Sequence, residues 1–129
     1  MLQRDYILRL IKEFLAALQR MLEKKEGIDR RAALITLYNQ YVGSYDFYHL
    51  ATLDEVMTAL AGEDPEHRQM KVQMLAELFY YDAYMESEPL RSALLDKSFH
   101  MYDWLDSHDQ TFSLERQQRK RSIQEQLNK

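Results

Sequence analysis

The 129-residue chain contains only two prolines, Pro65 and Pro89, and no glycine lies between them. Both stand where a helix begins. Asp64-Pro65 places a capping carboxylate ahead of a proline at the first helical position, where the missing N–H removes nothing from the hydrogen-bond ladder. Pro89 disfavours helix at Glu88 and suits the first turn of a new helix, so Ser87-Glu88-Pro89 reads as a tight corner. The stretch from Gln69 to Leu105 is therefore expected as an antiparallel helix pair. It gathers Phe79, Tyr80, Tyr81, Tyr84, Phe99, Tyr102 and Trp104, which makes it the expected core hairpin.

The first of these helices should run from Asp64-Pro65 to about Met85. At about 100° per residue, Val72, Met74, Leu75, Leu78, Phe79, Tyr81 and Met85 form its inward arc, and Glu66, Gln69, Gln73 and Glu77 line the outward side. Two features break the pattern. Asp82 lies near the middle of the inward arc, and Tyr80 and Tyr84 lie outward among polar residues. In the second helix Leu90, Leu94, Ser98, Met101 and Leu105 form the inward stripe, flanked by Leu95, Tyr102 and Trp104, with Ser98 as the small residue that permits close approach. The acidic segment Asp103 to Asp109 closes it, and Ser113 can cap a terminal helix from Leu114 to about Leu127. That last helix has only Leu114, Ile123 and Leu127 as apolar residues, so residues 114–129 are expected to be the least stable part and to depend on a neighbour.

Towards the N-terminus, apolar residues from Ile7 to Leu22 recur at three-and-four spacing within a helix expected over Gln3 to Lys25. They fill an arc of roughly 180°, wide for one neighbour. Packing against two other helices accounts for that width; a homodimer seam along the Ile7–Leu22 helix is the alternative. Gly27 is read as the C′ residue of this helix and Asp29 as the cap of the next, whose face of Leu34, Ile35, Leu37, Tyr38, Tyr41 and Val42 ends at Gly43. Ser44 to Ala51 is too aromatic for a solvated loop and reads as a packed turn or one helical turn. Thr52 with Glu55 forms a capping box for a short helix through Leu53, Val56, Met57 and Leu60 to Gly62.

These elements give an all-α fold of five to six helices in consecutive antiparallel hairpins, one domain over residues 1–129. The length suffices for a core without metals or disulfides. The absence of cysteine excludes disulfides, thiolate chemistry and Cys-based metal sites. Charged residues inside the N-terminal apolar runs are incompatible with a signal peptide or a membrane span, so no membrane partner is expected and a cytoplasmic location is the default. A net charge of −4 provides no general attraction to nucleic acid or anionic lipid.

The opening Gln3-Arg4-Asp5-Tyr6-Ile7-Leu8-Arg9-Leu10-Ile11 and the late Thr111-Phe112-Ser113-Leu114-Glu115-Arg116 resemble segments of a family of uncharacterised small bacterial proteins built of helical hairpins. That resemblance carries no activity with it. Gln69 to Leu105 also resembles a tetratricopeptide hairpin, a helix pair used for protein and peptide binding, with Leu78, Leu95 and Ser98 at matching positions. Phe79 stands where that motif has a small residue and Asp103 where it often has proline, and no second repeat is evident.

Sites of chemistry are sparse. Asp46 and His49 have the i, i+3 spacing of a di-iron ligand pair, but that site needs the motif on two helices and two further glutamates. Asp103, Asp106 and Asp109 lack the alternate-position ligands and central glycine of a calcium loop. No nucleophile motif or phosphate-cradling glycine loop is present, so no enzyme, cofactor or metal is expected. The basic run Arg116, Arg119, Lys120 and Arg121 could meet a nucleic-acid backbone, yet a solvated terminal helix or an acidic protein surface explains it more simply. Asp82 needs a donor, with Arg91, Lys97 and tyrosine hydroxyls as candidates, and it is alternatively a ligand-facing carboxylate. Tyr80 and Tyr84, with Arg91, are the expected contact surface for a protein partner or a second copy, against half-burial under a neighbouring helix. The leading functional reading is a non-catalytic interaction or assembly module; the alternative is a small-ligand-binding domain using Asp82 and nearby tyrosines.

Overall fold

The computed structural model describes residues 2–129, with side chains from Arg4 onward; Met1, part of the expected domain, lies outside the described residues. Among the described residues the chain is 82% helical and has no strand. The elements are α1 (Leu2–Leu22), α2 (Gly27–Leu37), a π-helical segment (Tyr38–Val42), α3 (Tyr45–Leu50), α4 (Leu53–Ala61), α5 (Pro65–Tyr84), α6 (Leu90–His108) and α7 (Leu114–Leu127). The seven α-helices among the described residues exceed the expected five to six. The aromatic stretch after Gly43 forms a helix of its own, capped where the Ser44 hydroxyl accepts from the Phe47 N–H at 3.2 Å.

The α5–α6 hairpin is the most extensive pairing of the fold, and α5 also meets α1, α2, the π segment and α4. Most of its inward stripe is buried: Val72, Leu75, Leu78 and Phe79 on α5 meet Leu94, Met101 and Leu105 on α6 in one apolar core, while Tyr81, Met85 and Leu90 of the expected arcs are only half-buried against it. Ser98 sits at the contact, its hydroxyl donating to the Ala76 carbonyl at 2.7 Å, so the small residue both admits the neighbour and satisfies its own polar atom. Asp64 caps α5 with Pro65 behind it, and the capping box of Thr52 and Glu55 opens α4.

The N-terminal helix junction differs from expectation. α1 ends at Leu22, not near Lys25, and Gly27 opens α2 rather than closing α1; Glu26, not Asp29, is the N-cap. The cause is Arg30, whose guanidinium donates to the carbonyls of Lys24 at 2.6 Å and Leu22 at 3.2 Å. That side chain satisfies the orphan carbonyls a C′ glycine would otherwise serve. Asp29 falls within the first turn of α2, where its charge still suits the helix dipole. At the far end Gly43, with φ +139, adopts a conformation that disfavours any side chain, and a Cβ there would lie 3.1 Å from the Tyr48 ring.

The terminal helix is held chiefly by polar contacts. Ile123 is its buried apolar anchor, while Leu114 and Leu127 remain exposed. Arg116 pairs with Asp106 at 2.9 Å and Asp109 at 3.2 Å, and Lys120 with Asp103 at 3.0 Å and Asp106 at 2.8 Å. The acidic end of α6 and the basic run of α7 are thus two halves of one ion-pair network. No helix among the described residues is long and apolar enough to cross a membrane.

Candidate functional site

Two regions of α5 bear chemistry. The first is a polar chain that starts at the surface and ends in the core. Arg31 on α2 pairs with Glu86 at 2.9 Å, Glu86 lies 3.6 Å from Nε2 of His49, and Nδ1 of His49 lies 2.6 Å from Oδ2 of Asp82. The Tyr38 hydroxyl then donates to the same Asp82 oxygen at 2.9 Å. Asp82 and Tyr38 are fully buried and His49 nearly so. The other oxygen of Asp82, Oδ1, is buried without a hydrogen-bond partner.

Each member of this chain is placed by local structure. The π segment carries Tyr38 to α5; α3 supplies His49, whose ring stacks on Tyr45 with centroids 4.7 Å apart; and α5 presents Asp82. The end of α3 is fixed by Lys97 of α6, whose ammonium donates to the carbonyls of Tyr48 and Ala51 at 2.8 Å each and His49 at 3.3 Å. Burial raises the Asp82 pKa against the lowering pull of His49 and the Tyr38 hydroxyl. Burial likewise lifts the Tyr38 phenol well above its ordinary value, with the adjacent carboxylate adding to the shift. The phenol therefore stays protonated and donates a dependable hydrogen bond to Asp82.

The structure corrects the expected partners of Asp82. A tyrosine hydroxyl does serve, but Arg91 and Lys97 do not bond to it. Lys97 is committed to the backbone of α3, and Arg91, exposed, closes the end of α5 by donating to the carbonyls of Ala83 at 3.3 Å and Glu86 at 3.1 Å. His49 and Asp46 do not converge as a ligand pair: Asp46 is exposed, and His49 instead meets Asp82 and Glu86. The sequence reading missed Glu86, which lies just beyond the C-cap of α5 and is brought to His49 by the turn after Met85, where no helical spacing rule reveals it.

The second region is a pair of adjacent hollows between α1 and the outward side of α5, one closed by the segment that precedes α7 and the other by α7 itself. One hollow, of about 320 Å³, is bordered by Leu8, Ile11 and Met70 with Arg4, Glu66, Gln73 and Asp109 at its polar side; the next, of about 190 Å³, by Leu15, Tyr102 and Leu105 with Gln73, Glu77 and Arg119. Gln73 separates them. On the far wall Arg119 donates to Glu77 at 3.1 Å, and Tyr102 also donates to Glu77. Burial raises the Glu77 pKa while Arg119 pulls it down. Leu8 and Leu15 stand 47% and 43% exposed on the near wall, open to whatever enters the groove.

The expected tyrosine surface is divided by α7. Tyr80 is buried because the Arg119 guanidinium covers its ring at 3.9 Å, so it is not displayed as an anchor. Tyr84 is 49% exposed, its hydroxyl 2.8 Å from that of Tyr80 and accepting from Gln126 at 3.0 Å. Three of the four basic residues of the terminal run, Arg116, Arg119 and Lys120, make ion pairs within the molecule, and Arg121 is exposed.

No protein-family model, curated protein or solved structure matches this chain.

Proposed function

We propose that this protein is a non-catalytic assembly module that pairs with a second copy of itself through α1, with the groove beside α1 as the receiving surface. The observation that carries this reading is the spacing of Leu8, Ile11 and Leu15 against two adjacent hollows. Three and four residues apart, these side chains follow the a and d positions of a helix-pairing seam. Under a two-fold axis close to Ile11 and Lys12, Leu15 of one copy faces the hollow beside Leu8 of the other, and Leu8 faces the hollow beside Leu15. Each leucine then enters a depression between side chains of the facing copy, and the pairing closes on itself as a dimer.

Other surfaces support the reading less well. The basic residues of α7 are largely engaged with acidic partners of the same chain, which weakens the case for nucleic acid. The small-ligand alternative keeps one supporting observation, the unpartnered Asp82 oxygen, but that carboxylate lies in a closed core with Tyr38 and His49.

Light scattering across a concentration series tests the assembly reading. The wild-type chain should scatter as a dimer, and the double variant Leu8→Ser, Leu15→Ser as a monomer with unchanged helical circular dichroism. A wild-type protein that stays monomeric at the highest concentration sinks the proposal. Capture of a different protein by that monomer would leave an interaction module whose partner is not itself.

A further inference from the structure

We infer, building on the assembly reading of α1, that the docking of α7 gates the pairing of two copies: the ion pairs that hold α7 to α6 complete the receiving surface, and loosening them releases the second copy. The hollow beside Leu15, which receives Leu8 of the facing copy, has walls from two sources. Leu15, Glu77, Tyr102 and Leu105 come from α1, α5 and α6, while Arg116 and Arg119 come from α7. The hollow beside Leu8 is closed by Asp109 and Thr111, in the segment that leads into α7. A chain whose α7 has moved away keeps Leu8, Ile11 and Leu15 but lacks a wall of the surface that they enter.

α7 is suited to move as a unit. Its 14 residues are too few to persist as a helix alone in water, and Ile123 is its single buried residue. Charge supplies most of the remaining attachment. Arg119 meets Glu77 at 3.1 Å, Arg116 meets Asp106 at 2.9 Å, and Lys120 meets Asp106 at 2.8 Å and Asp103 at 3.0 Å. Each of these side chains is partly open to solvent, so dissolved ions reach the network. The screening length contracts from about 10 Å at 0.1 M salt to about 3 Å at 1 M, whereas a seam of Leu8, Ile11 and Leu15 holds no charge to screen.

Arg4 and Glu66 border the first hollow and also feel salt, so the discriminating residue is Lys120. It borders neither hollow, and its ammonium is held by Asp103 and Asp106 on α6. An effect of Lys120 on pairing therefore travels through the position of α7. Arg121, its exposed neighbour, also borders neither hollow and controls for loss of a positive charge. Coupling of this kind is reciprocal: pairing must hold α7 in place as strongly as docked α7 favours pairing.

The experiment measures the dimer dissociation constant of the full chain by analytical ultracentrifugation at about 0.05 M and about 1 M NaCl, with amide exchange along α7 in the same buffers. The constant should rise at least about fivefold at the higher salt. At the lower salt, Lys120→Gln should raise it at least about fivefold and speed exchange in α7, as should the double variant Asp103→Asn, Asp106→Asn; Arg121→Gln should do neither. The monomeric variant Leu8→Ser, Leu15→Ser should exchange its α7 amides faster than the paired wild type. Wild-type affinity in both network variants overturns the inference and leaves the α1 pairing standing. Equal weakening in Arg121→Gln overturns it as well, because net charge then sets the affinity. A wild-type chain that is monomeric at both salts overturns the pairing and its gate together.

Discussion

The Nζ of Lys97 donates to the carbonyl of Ala51 at 2.8 Å across 46 residues of chain, and this bond closes the end of α3. With the carbonyls of Tyr48 and His49 also engaged, the ammonium uses its three donors on one helix terminus. Lys97→Met keeps the aliphatic stem and removes those donors. We expect a loss of about 2–4 kcal/mol, read from the urea midpoint, because buried carbonyls are left unpaired.

Alkaline pH should reveal the same residue. Desolvation by burial lowers the Lys97 pKa to about 8 from 10.5, against the raising influence of Asp82 and Glu55. Between those values the unfolded chain binds more protons than the folded one, so stability should rise as pH increases from about 8. Above 10.0 the slope should reverse, because burial raises the phenols of Tyr38, Tyr41, Tyr45, Tyr48 and Tyr84, which then ionise more readily in the unfolded chain. Urea midpoints measured through this range check both signs, and Lys97→Met should abolish the rise.

Acid should act on a different part of the molecule. Desolvation raises the Asp106 pKa, but hydrogen bonds from Lys120, Gln117 and Arg116 outweigh it and bring it down to about 2 from 3.8. The group binds fewer protons in the folded state over that interval, so its stabilising contribution is present above pH 3.8 and disappears as pH falls towards 2. Amide exchange along α7 should accelerate through this window before exchange in α5 does. Asp106→Asn should show faster α7 exchange already at neutral pH.

The two tyrosines one turn apart should answer differently to the same substitution. Tyr80→Ser opens a void beneath the Arg119 guanidinium and should cost about 2–4 kcal/mol. Tyr84→Ser, at a half-exposed position, should cost about 1 kcal/mol or less. Equal losses in denaturant unfolding would contradict the burial difference between them.

Local signals in the sequence carried most of the helix boundaries. Asp64-Pro65, the Thr52–Glu55 box, Gly43 and Ser113 each act through neighbouring backbone, so a short window of residues contains the cause. The start of α2 escaped because its determinant, Arg30, reaches back to Leu22 and Lys24 through a long side chain. The polar centre escaped further. The inward position of Asp82 was legible from helical periodicity, but its partners lie 33 and 44 residues away at His49 and Tyr38, and only the packing of α3 and the π segment on α5 selects them. Tyr80 looked outward because a wheel takes no account of a later helix; α7 covers it with an arginine that also reads as solvated.

The π segment gives the chain an offset in angular phase. Its N–H of Gly43 reaches the Tyr38 carbonyl at 2.8 Å, five residues back, so one residue more is wound into this turn than an α-helix would hold. Removing exposed Gln40 would let the backbone relax to ordinary α-helical winding and would turn α3, and with it His49, relative to the Tyr38 phenol that precedes the deletion. Changes of chain length between Leu37 and Gly43 are therefore constrained by the need for Tyr38 and His49 to reach Asp82 together, in a stretch whose exposed residues would otherwise tolerate them.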